Sequence, residues 1–499
     1  MQSAWRIVVL ALIIWLLLWL KGVFFLDPDF GWHLTMGRYI AEHGIPATDP
    51  FSYTMASYPF VDHEWLTNWL IAKTLPFIGY NALAGFFALL TVGAIFLSLT
   101  TVEKKTLRFA PIPLLLTGIT LFAFSGIRPQ VLTWFFFALL LWIVRSKERF
   151  LQLRWLLPLL FLGWVNLHGG FAVGVAVLLL ACAYWYWKKQ SSLASTSFLC
   201  LLCLLATLIT PYGYRNWWEV WMQMTDSTLR SSIQEWLPAF YQLDLAMWIF
   251  VALSMVLVLR NLKKFTLLDL ALYFILLGAS LSSIRHLPLW LVLALPLTIR
   301  GIEAFFLEVA KIELGEKRFF RFGWVLFGTT FLLLAFPLWG TVESLEGQTS
   351  NYPEQAVNYL NSHRTTGQVF STYDWGGYLI WKLQGEKVFI DGRMPSWRWQ
   401  ANLPRESNYA FADYRQLLEG KITFAQVERK YNITTLLLPA PVVVKRNVVQ
   451  NFIYIISSNV LHLPLKKDQG YAQIVAQVKS VGWRVVYQDQ TAVIYRPNP

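Results

Sequence analysis

Residues 26–79 read LDPDFGWHLTMGRYIAEHGIPATDPFSYTMASYPFVDHEWLTNWLIAKTLPFIG and lie between two apolar runs, 4–25 and 81–102. Each run is about 20 residues long, the length a helix needs to cross the hydrocarbon core of a bilayer. Connectors between elements rarely exceed about a dozen residues, so this segment is more than a connector. Six acids fall in it, Asp27, Asp29, Glu42, Asp49, Asp62 and Glu64, opposed only by Arg38 and Lys73. Phe30, Leu34, Gly37, Ile40 and Ala41 recur at helical spacing, as do Trp65, Trp69 and Ala72. Both stretches read as amphipathic helices lying along a membrane interface, with Pro46, Pro50 and Pro59 breaking the chain between them.

Outward from this loop the chain is apolar. Of 499 residues 14% are charged, against about a quarter in soluble domains, so most of the chain does not face water. Candidate spans are 4–25, 81–102, 111–126, 130–144, 155–167, 171–187, 197–211, 244–260, 267–284, 287–307 and 322–341. The first lacks an A-x-A-like cleavage site and is read as a retained span. Lys and Arg then fall in alternate loops: Lys104, Lys105 and Arg108; Arg145, Lys147, Arg149 and Arg154; Lys188 and Lys189; Arg260, Lys263 and Lys264; Lys311, Lys317, Arg318 and Arg321. The positive-inside rule makes these loops cytoplasmic, with about eleven spans, a cytoplasmic N-terminus and an extracytoplasmic C-terminus. The expectation is a multi-pass protein of the inner (plasma) membrane. Its net charge of +13 is explained by these loops, with attraction to anionic lipid or lipid phosphate as a further use and no nucleic-acid partner. Cys182, Cys200 and Cys203 lie in apolar runs and are read as packing residues.

The polar residues left over gather on the expected outer side. Asp29 follows the first span and precedes a helix, where a partly desolvated carboxylate suits a general base; an N-cap is the structural alternative. His33 is one helical turn further on, within reach of it. Asp27, Asp29 and Glu64 are also candidates to hold a divalent cation, magnesium or manganese. Asp62, His63 and Glu64 form a titratable cluster ahead of an aromatic helix. Arg128, Asn166, His168, Arg285 and His286 sit at other turns on the same side. Ionisable groups at membrane depth usually face a cavity, so a shared hollow is expected, with Arg128 or Arg285 receiving an anionic phosphate.

Residues 1–341 are therefore expected to form the transmembrane domain, including the loop 26–80, and 342–499 a soluble extracytoplasmic α/β domain. In the latter, helices are expected over 353–363, 375–383, 408–419, 423–431 and 470–481, and strands over 367–372, 386–391, 433–438, 483–488 and 491–496. Asp374, Asp391 and Arg393 then end strands, where open α/β sheets place ligands; salt bridges are the alternative. Without a nucleophile–base pair or phosphate loop, this part reads as a binding or scaffolding module.

The polytopic helical pattern, the acidic loop after the first span and the outer C-terminal domain resemble the GT-C superfamily of integral-membrane glycosyltransferases, nearest the bacterial protein mannosyltransferase and aminoarabinose transferase type. The likeness covers about residues 1–340. Asp29 before an interfacial helix looks like the catalytic aspartate, and Asp62–Glu64 before WLTNWL like the second polar cluster; Phe30 stands where an adjacent acid is often found. The resemblance implies a polyprenyl-phosphate-linked sugar donor, a glycan, lipid or protein acceptor, and inverting transfer. Asp29 would remove the acceptor proton, Asp27 and Glu64 would assist, and His33, Asp62, His63, Arg128, Asn166, His168, Arg285 and His286 would bind substrate. A transporter or flippase of lipid-linked glycans predicts paired repeats and broken helices that are not visible. A non-catalytic cell-envelope assembly protein would tolerate loss of Asp29.

Overall fold

The computed structural model describes residues 2–241, 245–309, 323, 325, 328, 352–364, 366–440 and 469–498. The chain is mostly helical, with one small sheet near its C-terminal end. It divides into two compact units, one of residues 1–27 and 61–344, the other of 28–60 and 345–499. Residues 28–60, expected to belong with the helical part, instead pack with the C-terminal residues.

The first unit is built from apolar helices: α1 Gln2–Phe24, α3 Trp65–Leu99, α4 Pro111–Phe124, α5 Gln130–Val144, α6 Lys147–Leu153, α7 Leu157–Leu167, α8 Phe171–Trp187 and α9 Leu193–Ala206. It continues through α10 Arg215–Thr225, α11 Ser227–Ser232, α12 Leu245–Arg260, α13 Leu267–Ser282 and α14 Leu287–Val309. Among the described residues three helical segments, Trp65–Leu99, Lys147–Leu167 and Ile284–Glu308, are long and apolar enough to cross a membrane. Of the others that match expected spans, α1 has 23 residues, whereas α4, α5, α8, α9, α12 and α13 fall short of the roughly 20 a perpendicular span needs. The expected span 322–341 lies almost wholly outside the described residues.

Within α3 the chain breaks at Gly79 (φ 73°, ψ 168°), three residues after Pro76. A proline removes a backbone donor and only glycine enters positive φ freely, so the sequence itself separates the aromatic stretch after Trp65 from the apolar run beyond. α1 packs on that run through small residues: a Cβ on Gly22 would sit 3.1 Å from Ala84 Cβ. Indole donors complete the seam, Trp15 Nε1 to the Gly85 carbonyl at 3.0 Å and Trp19 Nε1 to the Asn81 carbonyl at 2.8 Å. Between α12, α13 and α14, Thr298 Oγ1 donates to Ser254 Oγ (2.8 Å), which pairs with Tyr273 Oη (2.9 Å), so these buried hydroxyls satisfy one another.

The second unit holds α2 Phe30–His43 and, from the C-terminal part, α15 Glu354–Ser362, β1 Gln368–Ser371, α16 Gly376–Lys382, α17 Ala410–Leu418, α18 Phe424–Tyr431, β2 Ile433–Pro439, α19 Gln469–Ser480, β3 Trp483–Gln488 and β4 Ala492–Pro497. The sheet order is β1-β2-β4-β3; β1 and β2 run parallel, and β4 is antiparallel to both its neighbours. Every expected strand is present but one. Residues 386–391 do not join the sheet: Val388 N donates to the Phe51 carbonyl (2.9 Å) and Tyr53 N to the Val388 carbonyl (3.2 Å). The apolar VFI run was legible, but its partner was not, because that partner lies over three hundred residues earlier.

A buried ion cluster joins the same segments. Arg393 grips Asp391 with two donors (Nε–Oδ1 and Nη2–Oδ2, both 2.8 Å) and reaches Asp49 Oδ1 with a third (2.8 Å). The rings of Trp32, Phe51, Phe60 and Trp397 surround the guanidinium at 5.2–5.8 Å. The two carboxylates hold the guanidinium charged: burial opposes this, but their charges push its pKa upward. Asp391 and Arg393 thus bind each other and Asp49, the salt-bridge alternative to a ligand-facing role.

Breaking such a buried cluster strands two carboxylates, so Arg393→Ala is expected to destabilise the chain by about 3–5 kcal/mol. Arg393→Lys, lacking the planar fork, should recover only part of that loss. Thermal unfolding of the purified full-length protein in detergent measures both; an Arg393→Ala protein as stable as wild type would contradict the structure.

Candidate functional site

Two groups of predicted polar residues assemble in the helical unit. The first begins at Asp27, just past α1. Its carboxylate accepts from Arg128 Nε, and Arg128 Nη1 donates to Glu235 Oε1 at 2.6 Å. Arg128 stands in the turn between α4 and α5, and Glu235 in a short 3-10 turn over 234–236. Burial would raise the Glu235 carboxyl, but the charges of Arg128 and Arg285 outweigh it and hold the carboxyl below its ordinary range. Glu235 was not singled out in the sequence, since nothing near it marks it as Arg128's partner.

The second group surrounds the N-terminus of α3. Asp62 folds back on its own chain: Oδ1 accepts from Glu64 N (3.1 Å) and Oδ2 from Asn68 Nδ2 (2.8 Å). Burial pushes its carboxyl up to about 6. Glu64, only 4% exposed, places Oε1 3.5 Å from His63 Nε2 and 3.2 Å from His168 Nε2. His168 ends the α7 turn NLHGG, and the two glycines explain how that turn fits. A Cβ on Gly170 would lie 2.4 Å from Thr133 Oγ1, and one on Gly169 2.7 Å from His63 Cδ2.

The protonation of His168 follows from its partners. Gly170 N donates to Nδ1 (3.0 Å), so that nitrogen carries no hydrogen. Thr133 Oγ1, which accepts from Trp164 Nε1 (2.9 Å), lies 2.7 Å from the same Nδ1 and is placed to donate to it. The neutral ring therefore keeps its hydrogen on Nε2, the nitrogen nearest Glu64. That nitrogen is close to the carboxylate but not aligned for a hydrogen bond. Burial lowers the His168 pKa. At His63 burial also acts downward, but the Glu64 hydrogen bond and charge prevail and raise it. Two imidazoles flanking one carboxylate are thus driven apart in proton affinity, the pattern that separates acid from base roles.

A cavity of about 100 Å³ opens beside this group, with His63, His168, Gln130, Glu219, Arg285 and His286 in its wall. Among the described residues Arg285 forms no ion pair; its guanidinium lies 4.9 Å from the Trp236 ring centroid. Gln130 Oε1 is buried without a hydrogen-bond partner there. The expected hollow thus gathers His63, His168, Arg285 and His286. Arg128 and Asn166 are not in its wall. Asn166 is taken up structurally, accepting from Trp65 Nε1 (2.9 Å) and donating to the Leu162 and Ile209 carbonyls (2.9 Å each).

Asp29 and His33 belong to the second unit. Asp29 precedes α2 at the N-cap position, yet its side chain makes no cap hydrogen bond, so it does not serve its helix in the way a capping aspartate would. Its backbone carbonyl accepts from His33 N at 3.1 Å. The His33 ring is buried and lies 3.8 Å, centroid to centroid, from that of Trp32. Among the described residues no three His, Cys, Asp or Glu side chains form a group that would hold a metal ion. Asp27, one of the residues expected to hold a cation, is paired with Arg128.

No protein-family model matches the chain, and no curated protein matches it. Its fold is similar to that of an oligosaccharyltransferase of Archaeoglobus fulgidus, known from a crystal structure of its apo form. The TM-score is 0.54 with 12% sequence identity, over 98% of this chain and 74% of that one. At that identity the likeness is one of fold.

The two arginines should behave differently on removal. Arg128→Ala removes the guanidinium shared by Asp27 and Glu235 and is expected to cost about 3–5 kcal/mol of stability. Arg285→Ala loses mainly an aromatic contact, about 1 kcal/mol. Equal losses in thermal unfolding would contradict this assignment. Asp62 adds a pH signature. Its folded pKa is raised to about 6, so the native state holds a proton that the unfolded chain, at about pH 4, releases. Its contribution is present below about pH 4 and lost as pH rises through about 6. The unfolding temperature of wild type should therefore decline relative to Asp62→Asn across that window; parallel curves would refute it.

Proposed function

We propose that this chain is a membrane glycosyltransferase that moves a sugar from a polyprenyl-phosphate donor to an acceptor hydroxyl, inverting the anomeric centre, with Asp29 as general base. The observation that carries the reading is the fold, shared along nearly the whole chain with an enzyme whose name states glycosyl transfer. The chemistry needs few parts. Asp29 takes the acceptor proton, the acceptor oxygen attacks the anomeric carbon, and the bond from that carbon to the phosphate oxygen breaks. Polyprenyl phosphate leaves with the electron pair, and no covalent intermediate is needed. A leaving phosphate asks for a cation that is not already neutralised. Arg285 meets that requirement and Arg128 does not, since Arg128 is shared between Asp27 and Glu235.

In this reading Glu64, His63 and His168 bind sugar hydroxyls or pass protons in the cavity, with His286 and Gln130 beside the phosphate. Asp62, Asn166, Asp27 and Arg128 hold the frame. His33 supports the Asp29 turn. The lipid tail lies in the bilayer, the chain crosses the inner membrane about eleven times as its basic loops require, and the C-terminal part stands outside the cytoplasm. Glycan, lipid and protein hydroxyls remain the acceptor classes.

The test is transfer by the purified full-length protein in liposomes, offered a panel of labelled polyprenyl-phosphate sugars. Asp29→Asn should lower kcat by about 10²-fold or more, the usual contribution of a positioned base. Arg285→Ala should raise donor KM. Turnover indifferent to Asp29→Asn would overturn the base assignment, and no transfer from any donor by wild type would overturn the reaction.

A further inference from the structure

We infer that Gly392 is the positioning residue for the Asp29 carboxylate, and that the C-terminal WGG and DGR motifs act as a mould for the Asp29 turn. The inference rests on the reading of Asp29 as the base. It starts from four glycines in the second unit. A Cβ on Gly392 would lie 2.3 Å from Asp29 Oδ1 and 3.3 Å from its Cγ. A Cβ on Gly377 would lie 2.2 Å from the Pro28 carbonyl oxygen, and one on Gly31 2.2 Å from the Gly377 carbonyl oxygen. A Cβ on Gly376 would lie 2.2 Å from the Ile390 carbonyl oxygen. Real side chains do not approach so closely.

These glycines are not there for their conformational freedom. None of the four has a backbone φ in the left-handed region, so any residue adopts their conformation. Space alone excludes a side chain. The turns at 28–31, 376–377 and 390–392 therefore meet backbone to backbone, and the Asp29 carboxylate lies directly against Gly392.

The mould is rigid. Next to Gly392, Arg393 N donates to Asp391 Oδ1 (3.0 Å), and its guanidinium holds Asp391 by a fork and Asp49 by a third bond. Asp49 in turn accepts from Ser52 N at 2.9 Å. Phe30, beside Asp29, packs edge-on against Trp381 at 5.7 Å. Gly392 thus cannot yield easily, and an added methyl must displace the carboxylate by about 1 Å to reach ordinary contact, a misplacement that typically costs about 10²-fold in rate.

The test uses the full-length protein and two readouts. Gly392→Ala should lower kcat about 10²-fold with donor KM unchanged, because the base moves while the phosphate receiver does not. It should also lower the unfolding temperature, and this loss should largely disappear in the Asp29→Ala background, where the obstructing carboxylate is gone. If Gly392→Ala alone fails to fold, recovery of folded protein by the double variant supports the inference, and failure of both overturns it. Equal destabilisation with aspartate or alanine at 29 overturns the positioning claim even where Asp29→Asn is inactive. Relief in the double variant together with full turnover by Asp29→Ala shows instead that the base assignment is wrong, and Gly392 then positions no catalytic group.

Discussion

A single guanidinium decides how residues 28–60 are held. The Arg393 side chain is almost wholly buried, so its charge must be answered by buried carboxylates, and Asp391 and Asp49 do so with three hydrogen bonds. One of those acids belongs to Arg393's own turn and the other lies 344 residues earlier. That bridge, ringed by Trp32, Phe51, Phe60 and Trp397, ties the segment after the first helix to the C-terminal residues. Further bonds follow the same path: Thr54 Oγ1 to the Phe389 carbonyl (2.7 Å), Tyr53 Oη to the Val369 carbonyl (2.9 Å) and Ser57 N to Glu406 Oε1 (2.6 Å). The segment is thus built into the second unit rather than laid over it.

Charge in the helical unit is sorted by the same rule. Buried ions either find partners or line a cavity. Arg128 has Asp27 and Glu235; Arg145 has Asp269 at 2.5 Å. Arg285 has an aromatic face and a cavity. The Glu64 neighbourhood adds a second asymmetry, since one histidine beside it is locked neutral by two donors at Nδ1 while the other gains proton affinity from the carboxylate. These differences arise from partners on separate helices, not from residue type.

Much of the architecture was legible along the chain. The helices 171–187 and 130–144 begin and end where the apolar runs do, and the C-terminal elements fall near their expected bounds. Local signals suffice there, because apolar periodicity and turn residues report burial and chain reversal directly. The candidate site was legible as a list: His63, His168, Arg285 and His286 do line one cavity. The list also contained Arg128, which is paired with Asp27 and Glu235, and Asn166, which accepts from Trp65, and it omitted Glu235 and Gln130, whose surroundings in the chain carry no mark.

Sequence alone determined that this is an apolar, helix-rich chain with an acid-laden segment after its first helix and an alternating helix–strand region near its end. Hydrophobicity and period are properties of neighbouring residues, and they survive without any knowledge of distant contacts. Tertiary structure alone decided which arginine is neutralised and which is left to a cavity, why Val388 pairs with residues 51–53 instead of a sheet, and why Gly392 has no side chain. Each of those depends on the distance between groups far apart in the chain, and that distance exists only once burial has forced polar atoms to find one another.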